Sequence, residues 1–217
     1  MISDKKSFAF TLAETLITLT IIGVVMALML KSVNRVNPDK DKILFLKTYH
    51  AMETVMADVI NDPTKYDQTF YTDDEINALP NDQKGNLHID FRYAPLATAQ
   101  VTYQSGGASV TKKNLSRDNA MCYFLADQLN TIGSVDCETA HAQNMKLTTG
   151  ACISHLVGVD ASGFNDPVID PGCKGSNETY YVVNIYRDGK MTVPQNNANV
   201  KNQAKAYGWM QDQTKVK

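Results

Sequence analysis

Four cysteines and four histidines are the side chains with the widest chemical repertoire in this 217-residue chain. All the cysteines lie in its second half: Cys122, Cys137, Cys152 and Cys173. An even number of cysteines downstream of a long apolar segment is typical of disulfides formed in an oxidising compartment. Three pairings are open, and short loops favour Cys122–Cys137 with Cys152–Cys173.

A metal site is the alternative use of these residues. Cys137-x3-His141 and Cys152-x2-His155 together supply two thiols and two imidazoles. The chain has no C-x-x-C pair, and this spacing matches no familiar zinc module. The sequence therefore favours disulfides and predicts no transition-metal site.

Residues 158–172 form a second candidate site, because they are rich in oxygen ligands that include Asp160, Asp166 and Asp170. Calcium binds clusters of carboxylate and carbonyl oxygens. The spacing does not match an EF-hand, and Asp, Asn and Gly also dominate plain surface turns. We expect no cofactor, with calcium as the weaker alternative.

Motifs of catalysis are missing from the sequence. It has no Walker A loop, no G-x-S-x-G elbow, no H-E-x-x-H and no G-x-G-x-x-G. The 21 Lys+Arg against 23 Asp+Glu give a net charge of −2, and Lys112-Lys113 is too small a basic cluster for phosphate binding. We expect a protein that is not an enzyme and does not bind nucleic acid.

One carboxylate lies inside the most apolar stretch of the chain. Residues 10–30 read FTLAETLITLTIIGVVMALML, and Glu14 is the only charged residue among them. As a helix, this stretch would span roughly 30 Å, the thickness of a bilayer's hydrocarbon core. A charge inside such a helix costs about 2.5–3.5 kcal/mol at mid-depth and is usually functional. A cut between Ala9 and Phe10 would create an α-amine, cationic near neutral pH, close to this carboxylate.

The N-terminal residues resemble the signature of type IV prepilins and type II secretion pseudopilins. Residues 9–17 read AFTLAETLI, and residues 21–25 read IIGVV. The resemblance implies that a prepilin peptidase cuts after Ala9, that Phe10 is N-methylated, and that Glu14 pairs with the amine of a neighbouring subunit. In two departures from the family pattern, Ala9 replaces the commoner Gly, and Lys31 stands where many pilins have a proline.

The same resemblance implies the partners and the location. The partners are the prepilin peptidase, other pilin or pseudopilin subunits, an inner-membrane assembly platform and membrane lipid. The head is expected in the periplasm or outside the cell, first on an inner-membrane anchor and then in a filament. The positive-inside rule points the other way, because basic residues are fewer before the apolar stretch than after it: Lys5 and Lys6 against Lys31, Arg35, Lys40 and Lys42.

Gly23 and Ala27 are four residues apart, a spacing that lets two helices approach closely. They are therefore candidate assembly residues together with Glu14. The motif does not distinguish a secretion pseudopilus from a pilus. The alternative is a single-pass anchored protein whose head binds a ligand or catalyses a reaction without polymerising.

The pattern of helices and short strands predicts an α+β fold. In this fold a long hydrophobic N-terminal helix, the pilin-like stalk, packs on a small antiparallel sheet. We expect a leader at residues 1–9, a membrane or filament-core helix at 10–30, an amphipathic stalk helix at 31–62 and a globular head at 63–217. The second helix shows an apolar stripe of Ile43, Leu46, Tyr49, Met52, Met56, Val59 and Ile60. Within the head we predict strands at 87–93 and 99–103, a helix at 119–129, a hairpin over 180–193 with an Asp-Gly turn, and a polar loop at 195–206.

Overall fold

The computed structural model describes residues 12–35, 39–66, 89, 91, 96, 98–140, 142–157, 167–176 and 178–214. The chain divides into two compact units, Met1–Asp39 and Lys40–Lys217. Helices in both units and antiparallel sheets in the second make the fold α+β, as the sequence predicts.

In the first unit the structure describes helix α1 (Leu12–Arg35). Its sequence has no proline, and between Thr15 and Leu30 it contains no charged residue. In the part of the chain that the structure describes, no helix combines the length and the apolar character needed to cross a membrane. The membrane-spanning helix expected at 10–30 therefore stays a prediction.

The second unit begins with α2 (Lys40–Asn61), which supplies a large share of the head's core. Its buried residues recur every three or four positions: Phe45, Thr48, Tyr49, Met52, Val55, Met56, Val59 and Ile60. The predicted stripe is wrong at its start, because Ile43 is 37% exposed and Phe45 is fully buried instead. The helix stops before Pro63, and Asp62 accepts the Thr64 N–H at 3.0 Å in the turn that follows.

The head contains two hairpins and a five-stranded sheet, all antiparallel. The first hairpin joins β1 (Gln100–Ser105) to β2 (Ala108–Lys113). Its two-residue turn is Gly106-Gly107, and both glycines have positive φ, as a tight hairpin turn requires. Helix α3 (Ala120–Gln128) follows and is almost entirely buried.

The five-stranded sheet has its strands in chain order, β3-β4-β5-β6-β7. The bounds are Thr131–Ile132 for β3, Gln143–Leu147 for β4, Cys152–Ser154 for β5, Val168–Asp170 for β6 and Tyr181–Val182 for β7. The segment of β7 continues into β8 (Asn184–Ile185), which pairs with β9 (Met191–Thr192). This confirms the predicted hairpin, and Gly189 in its turn has φ +82°.

One prediction for the head lies largely outside the described residues, and another needs correction. In the segment 87–93 the structure describes only Ile89 and Phe91, and neither is in a strand. The polar segment 195–206 is not a loop throughout, because helix α4 (Gln203–Thr214) begins inside it. Trp209 anchors this helix in the core, with its ring centroid 5.5 Å from that of Phe45 and 5.1 Å from that of Tyr181.

Candidate functional site

Helix α1 exposes an unusual amount of apolar surface. Residues 13–26 are all exposed, and eight large apolar side chains among them have between 43% and 68% of their surface accessible. An apolar surface of this extent marks a site that contacts other proteins or lipid. This surface is the first component of the candidate site.

Two threonine hydroxyls in the first half of α1 make hydrogen bonds within the helix. The Thr18 hydroxyl donates to the carbonyls of Glu14 and Thr15, each at 2.9 Å, and the Thr20 hydroxyl donates to those of Leu16 and Ile17 at 3.0 and 2.8 Å. In such bonds the hydroxyl of a threonine donates to backbone carbonyls one turn earlier in the same helix. The hydroxyls of Thr18 and Thr20 therefore have partners within α1 and do not need one from a neighbouring helix.

Glu14 lies in the first turn of α1. The N-terminus of a helix carries a partial positive charge, so this end tolerates a carboxylate better than the middle or the C-terminus would. Its neighbours in the chain, Ala13 and Thr15, are exposed. Glu14 is exposed as well, and it is the one charged residue among the exposed residues 13–26.

Gly23 lies nine residues further along α1, and a Cβ atom added at this position would meet nothing within 4 Å. The glycine is therefore not required by packing within the chain. Three other predicted site positions lie outside the described residues or side chains: Ala9, Phe10 and the side chain of Ala27.

The head contains two disulfides, Cys122–Cys137 and Cys152–Cys173, which confirms the prediction of disulfides. This is the connectivity with the shortest loops. The first disulfide links the buried helix α3 to the segment after β3, and the second links β5 to the turn after β6. Both therefore fix connecting segments to the core.

A polar cluster accompanies the first disulfide. Tyr123 follows Cys122 and donates its hydroxyl hydrogen bond to the carboxylate of Glu138, which follows Cys137. The Lys112 ammonium group reaches the same carboxylate at 2.6 Å and lies 5.4 Å from the centre of the Tyr123 ring. The hydrogen bonds from Lys112 and Tyr123 lower the pKa of Glu138, whereas burial, reinforced by this carboxylate, raises the pKa of Tyr123. The spacing of single residues did not predict this cluster.

The calcium prediction rests on residues of which the structure describes only one, because Asp160 and Asp166 lie outside the described residues. Asp170 is 1% exposed and accepts hydrogen bonds from the backbone N–H groups of Gly172 at 3.2 Å and Gly175 at 2.7 Å. In the described region its carboxylate therefore holds the turn that contains Cys173. The described residues contain no group of three or more His, Cys, Asp or Glu side chains that could hold a metal ion.

Comparison with known proteins concerns the N-terminus alone. Residues 4–30 match the family model described as "Prokaryotic N-terminal methylation motif". No curated protein and no solved structure gives a significant match to the chain. The chain therefore carries the prepilin-type cleavage and methylation signal, and this signal supports a type IV pilin-like or pseudopilin precursor that is processed by prepilin peptidase and assembles with other pilin subunits.

Proposed function

We propose that this protein is a structural subunit of a type II secretion pseudopilus or a type IV pilus, and not an enzyme. The observation that carries the proposal is the methylation motif at residues 4–30 together with the exposed apolar surface of α1. In this proposal residues 10–30 form a hydrophobic stalk, first held in the inner membrane and then in the filament core. The α+β head follows and faces the periplasm or the outside.

The proposed processing creates the partner of Glu14. Cleavage between Ala9 and Phe10 gives Phe10 a free amine, which is then methylated and stays cationic near neutral pH. An ion pair in an apolar environment is strong only if both charges are satisfied. Glu14 would therefore favour one axial position of the neighbouring subunit, the position that brings its amine to this carboxylate.

Glu14 and Gly23 would contact different neighbours. They are nine residues apart, which at about 100° per residue places them about 180° apart around the axis of α1. A helix that packs closely on Gly23 therefore cannot also supply the amine to Glu14 on the same chain. Each subunit would contribute two separate assembly contacts through this one helix.

The mature N-terminus is the first test. Mass spectrometry of the protein from its membrane should find a chain that begins with methylated Phe10. A chain that retains Met1 would contradict the proposal and favour the single-pass anchored protein that does not polymerise.

The second test separates assembly from insertion by comparing Glu14→Ala and Glu14→Gln. Both remove the charge, and the Gln variant keeps the size and the polar atoms of the side chain. We expect both variants to be inserted and cleaved, because removing a charge lowers the cost of insertion. Both should be depleted from the filament fraction, and normal incorporation of either would contradict the pairing role.

The third test uses Gly23→Ala. The added methyl group meets nothing within 4 Å in the single chain, and Ala favours a helix by roughly 0.5–1 kcal/mol. The variant should therefore be at least as stable as the natural protein and yet be incorporated less well. Thr20→Ala is the matched control for an exposed position three residues away. Equal incorporation of both variants would mean that no helix packs closely on Gly23.

A further inference from the structure

A polar cavity of about 410 Å³ opens in the head at the C-terminal end of α3. It is lined by residues 102–104 of β1, by residues 126–131 at the end of α3 and the start of β3, and by Thr148. None of the residues that line it is Lys, Arg or His, and the one charged residue among them is Asp127. The cavity therefore carries a net negative charge.

The end of α3 offers hydrogen-bond acceptors to the cavity, and the amide side chains of Gln104, Gln128 and Asn130 offer both acceptors and donors. The backbone N–H of Leu129 donates to the carbonyl of Leu125 at 2.9 Å and closes the last turn of α3. The carbonyls of residues 126–128 come after this bond, in the turn whose carbonyls have no partner within the helix. Thr102 on β1 donates its backbone N–H to Asp127 Oδ1 at 2.9 Å, which fixes the carboxylate at the cavity wall.

The C-terminal end of α3 is a favourable place for a cation beside Asp127. The C-terminus of a helix carries a partial negative charge that favours cations and disfavours a carboxylate. The last turn of α3 contains no basic residue to compensate. A cation in this cavity would face the carboxylate and the helix terminus together, and both would attract it.

We propose that this cavity binds a cationic nitrogen group, an alkylammonium or a guanidinium. These groups have only N–H donors, and the cavity lining has acceptors for them in the carboxylate of Asp127, the carbonyls at the end of α3 and the side-chain amide oxygens. The group can come from a lysine or arginine side chain of a neighbouring protein or from a free amine. The binding chemistry is the same for both sources.

Carboxyl footprinting of the full chain in detergent tests the proposal. Asp127 is labelled with carbodiimide and glycine ethyl ester, with acetyl-arginine amide as the probe and sodium chloride of equal ionic strength as the reference. An exposed charge pair changes an equilibrium constant by up to about fivefold, so we expect the probe to lower the labelling of Asp127 about twofold to fivefold below the reference. Asp118, exposed beside Arg117, is the internal control and should not respond. Equal labelling of Asp127 with probe and with salt would overturn the proposal.

A tethered cation gives an independent test. Thr148 is exposed and lines the cavity, whereas its neighbour Thr149 is exposed and does not line it. Thr148→Lys should lower the labelling of Asp127 without any probe, and Thr149→Lys should lower it less. The fluorescence of Trp209 checks that each variant is folded. Equal labelling of Asp127 in the two folded variants would also overturn the proposal.

The source of the cation is distinguished by washing. Protection of Asp127 that arises on assembly and survives removal of small molecules assigns the cavity to a side chain of a neighbouring protein. Protection that disappears on washing and returns with methylguanidine, which does not compete for the activated carboxyl group, assigns it to a free cation. Either result supports a cation site, and an Asp127 that no condition protects contradicts it.

Discussion

The side chain of Gln203 fills a gap between two strands, and we predict that Gln203→Ala strongly destabilises the head. The register of β8 and β9 pairs Asn184 with Thr192, and its continuation places Pro194 opposite Val182. Proline has no N–H, so Pro194 cannot donate to the Val182 carbonyl. The Gln203 amide does so instead: its Nε2 donates to Val182 at 2.8 Å and to Pro194 at 3.1 Å, and its Oε1 accepts the Val182 N–H at 2.8 Å.

The expected loss of stability in Gln203→Ala follows from these hydrogen bonds and from their burial. Gln203 is 1% exposed and Val182 is 4% exposed, so the substitution leaves buried peptide groups without partners. A net hydrogen bond contributes about 0.5–1.5 kcal/mol, and a buried group left unsatisfied costs about 1–3 kcal/mol. We therefore expect the free energy of unfolding to fall by about 2–4 kcal/mol, which for a chain of this size lowers the Tm by roughly 4–16 °C.

Trp209 provides the assay. It is the only tryptophan of the chain and lies on α4, six residues after Gln203, against Phe45 and Tyr181. Its fluorescence during denaturant unfolding of the full chain therefore reports on this region. Gln195→Ala, at an exposed loop position, is the matched control and should change the stability by less than about 0.5 kcal/mol. A Gln203→Ala variant as stable as this control would refute the reasoning.

The substitution Gln203→Glu tests the direction of the hydrogen bonds. An ionised carboxylate keeps an acceptor for the Val182 N–H but cannot donate to the carbonyls of Val182 and Pro194. Facing these carbonyls in the folded state raises the pKa of the introduced carboxyl group. The variant should therefore be less stable at neutral pH than the natural protein and recover part of the difference as the pH falls through this raised pKa. A pH-independent difference would mean that the donor role is unimportant.

Three other predictions concern a disulfide, a carboxylate and a turn glycine of the head. Replacing Cys152 and Cys173 together by Ser should lower the stability by about 3 kcal/mol in denaturant unfolding, because the disulfide closes a loop with a sequence separation of 21. The hydrogen bond from Lys112 is the main cause of the lowered pKa of Glu138. The carboxylate therefore stabilises the folded state at pH values above the ordinary pKa of a glutamate, and this stabilisation is lost as the pH falls through the lowered pKa. Unfolding of Glu138→Gln at several pH values should show a weaker acid dependence than the natural protein. Gly189→Ala should cost about 1 kcal/mol, because φ is +82° there and the new methyl group approaches Ile60 at 3.4 Å.

The elements that the sequence predicts well are those in which local pattern and tertiary environment agree. Helix α2 has apolar residues at helical spacing, and the hairpin of β8 and β9 has an Asp-Gly turn between two apolar runs. The start of the apolar stripe in α2 is wrong because Ile43 fits the spacing but the core begins at Phe45. Periodicity indicates that a face is buried, but it does not determine where along the helix the rest of the head begins to cover it.

Helix α4 and the cavity at Asp127 could not be predicted from local sequence. The segment around Gln203 is polar, and the contacts that stabilise its helix come from Phe45 and Tyr181, far away in the chain. Asp127 is distinctive only because β1 and the start of β3 lie next to the end of α3. The candidate assembly residue Glu14 could be identified from the sequence, because a single carboxylate in a long apolar stretch stands out without any tertiary information.

The contacts that stabilise the head lie within the head itself. As far as the structure describes it, the buried core of the head is built from residues of the second unit. The two disulfides and the hydrogen bonds of the Gln203 amide also lie in the head. If α1 moves from lipid into a bundle of like helices, the head therefore loses none of these contacts. The energetic difference between the two environments then depends on what meets the exposed apolar side chains, Gly23 and Glu14, and in the proposed filament Glu14 is the one that would gain a charged partner.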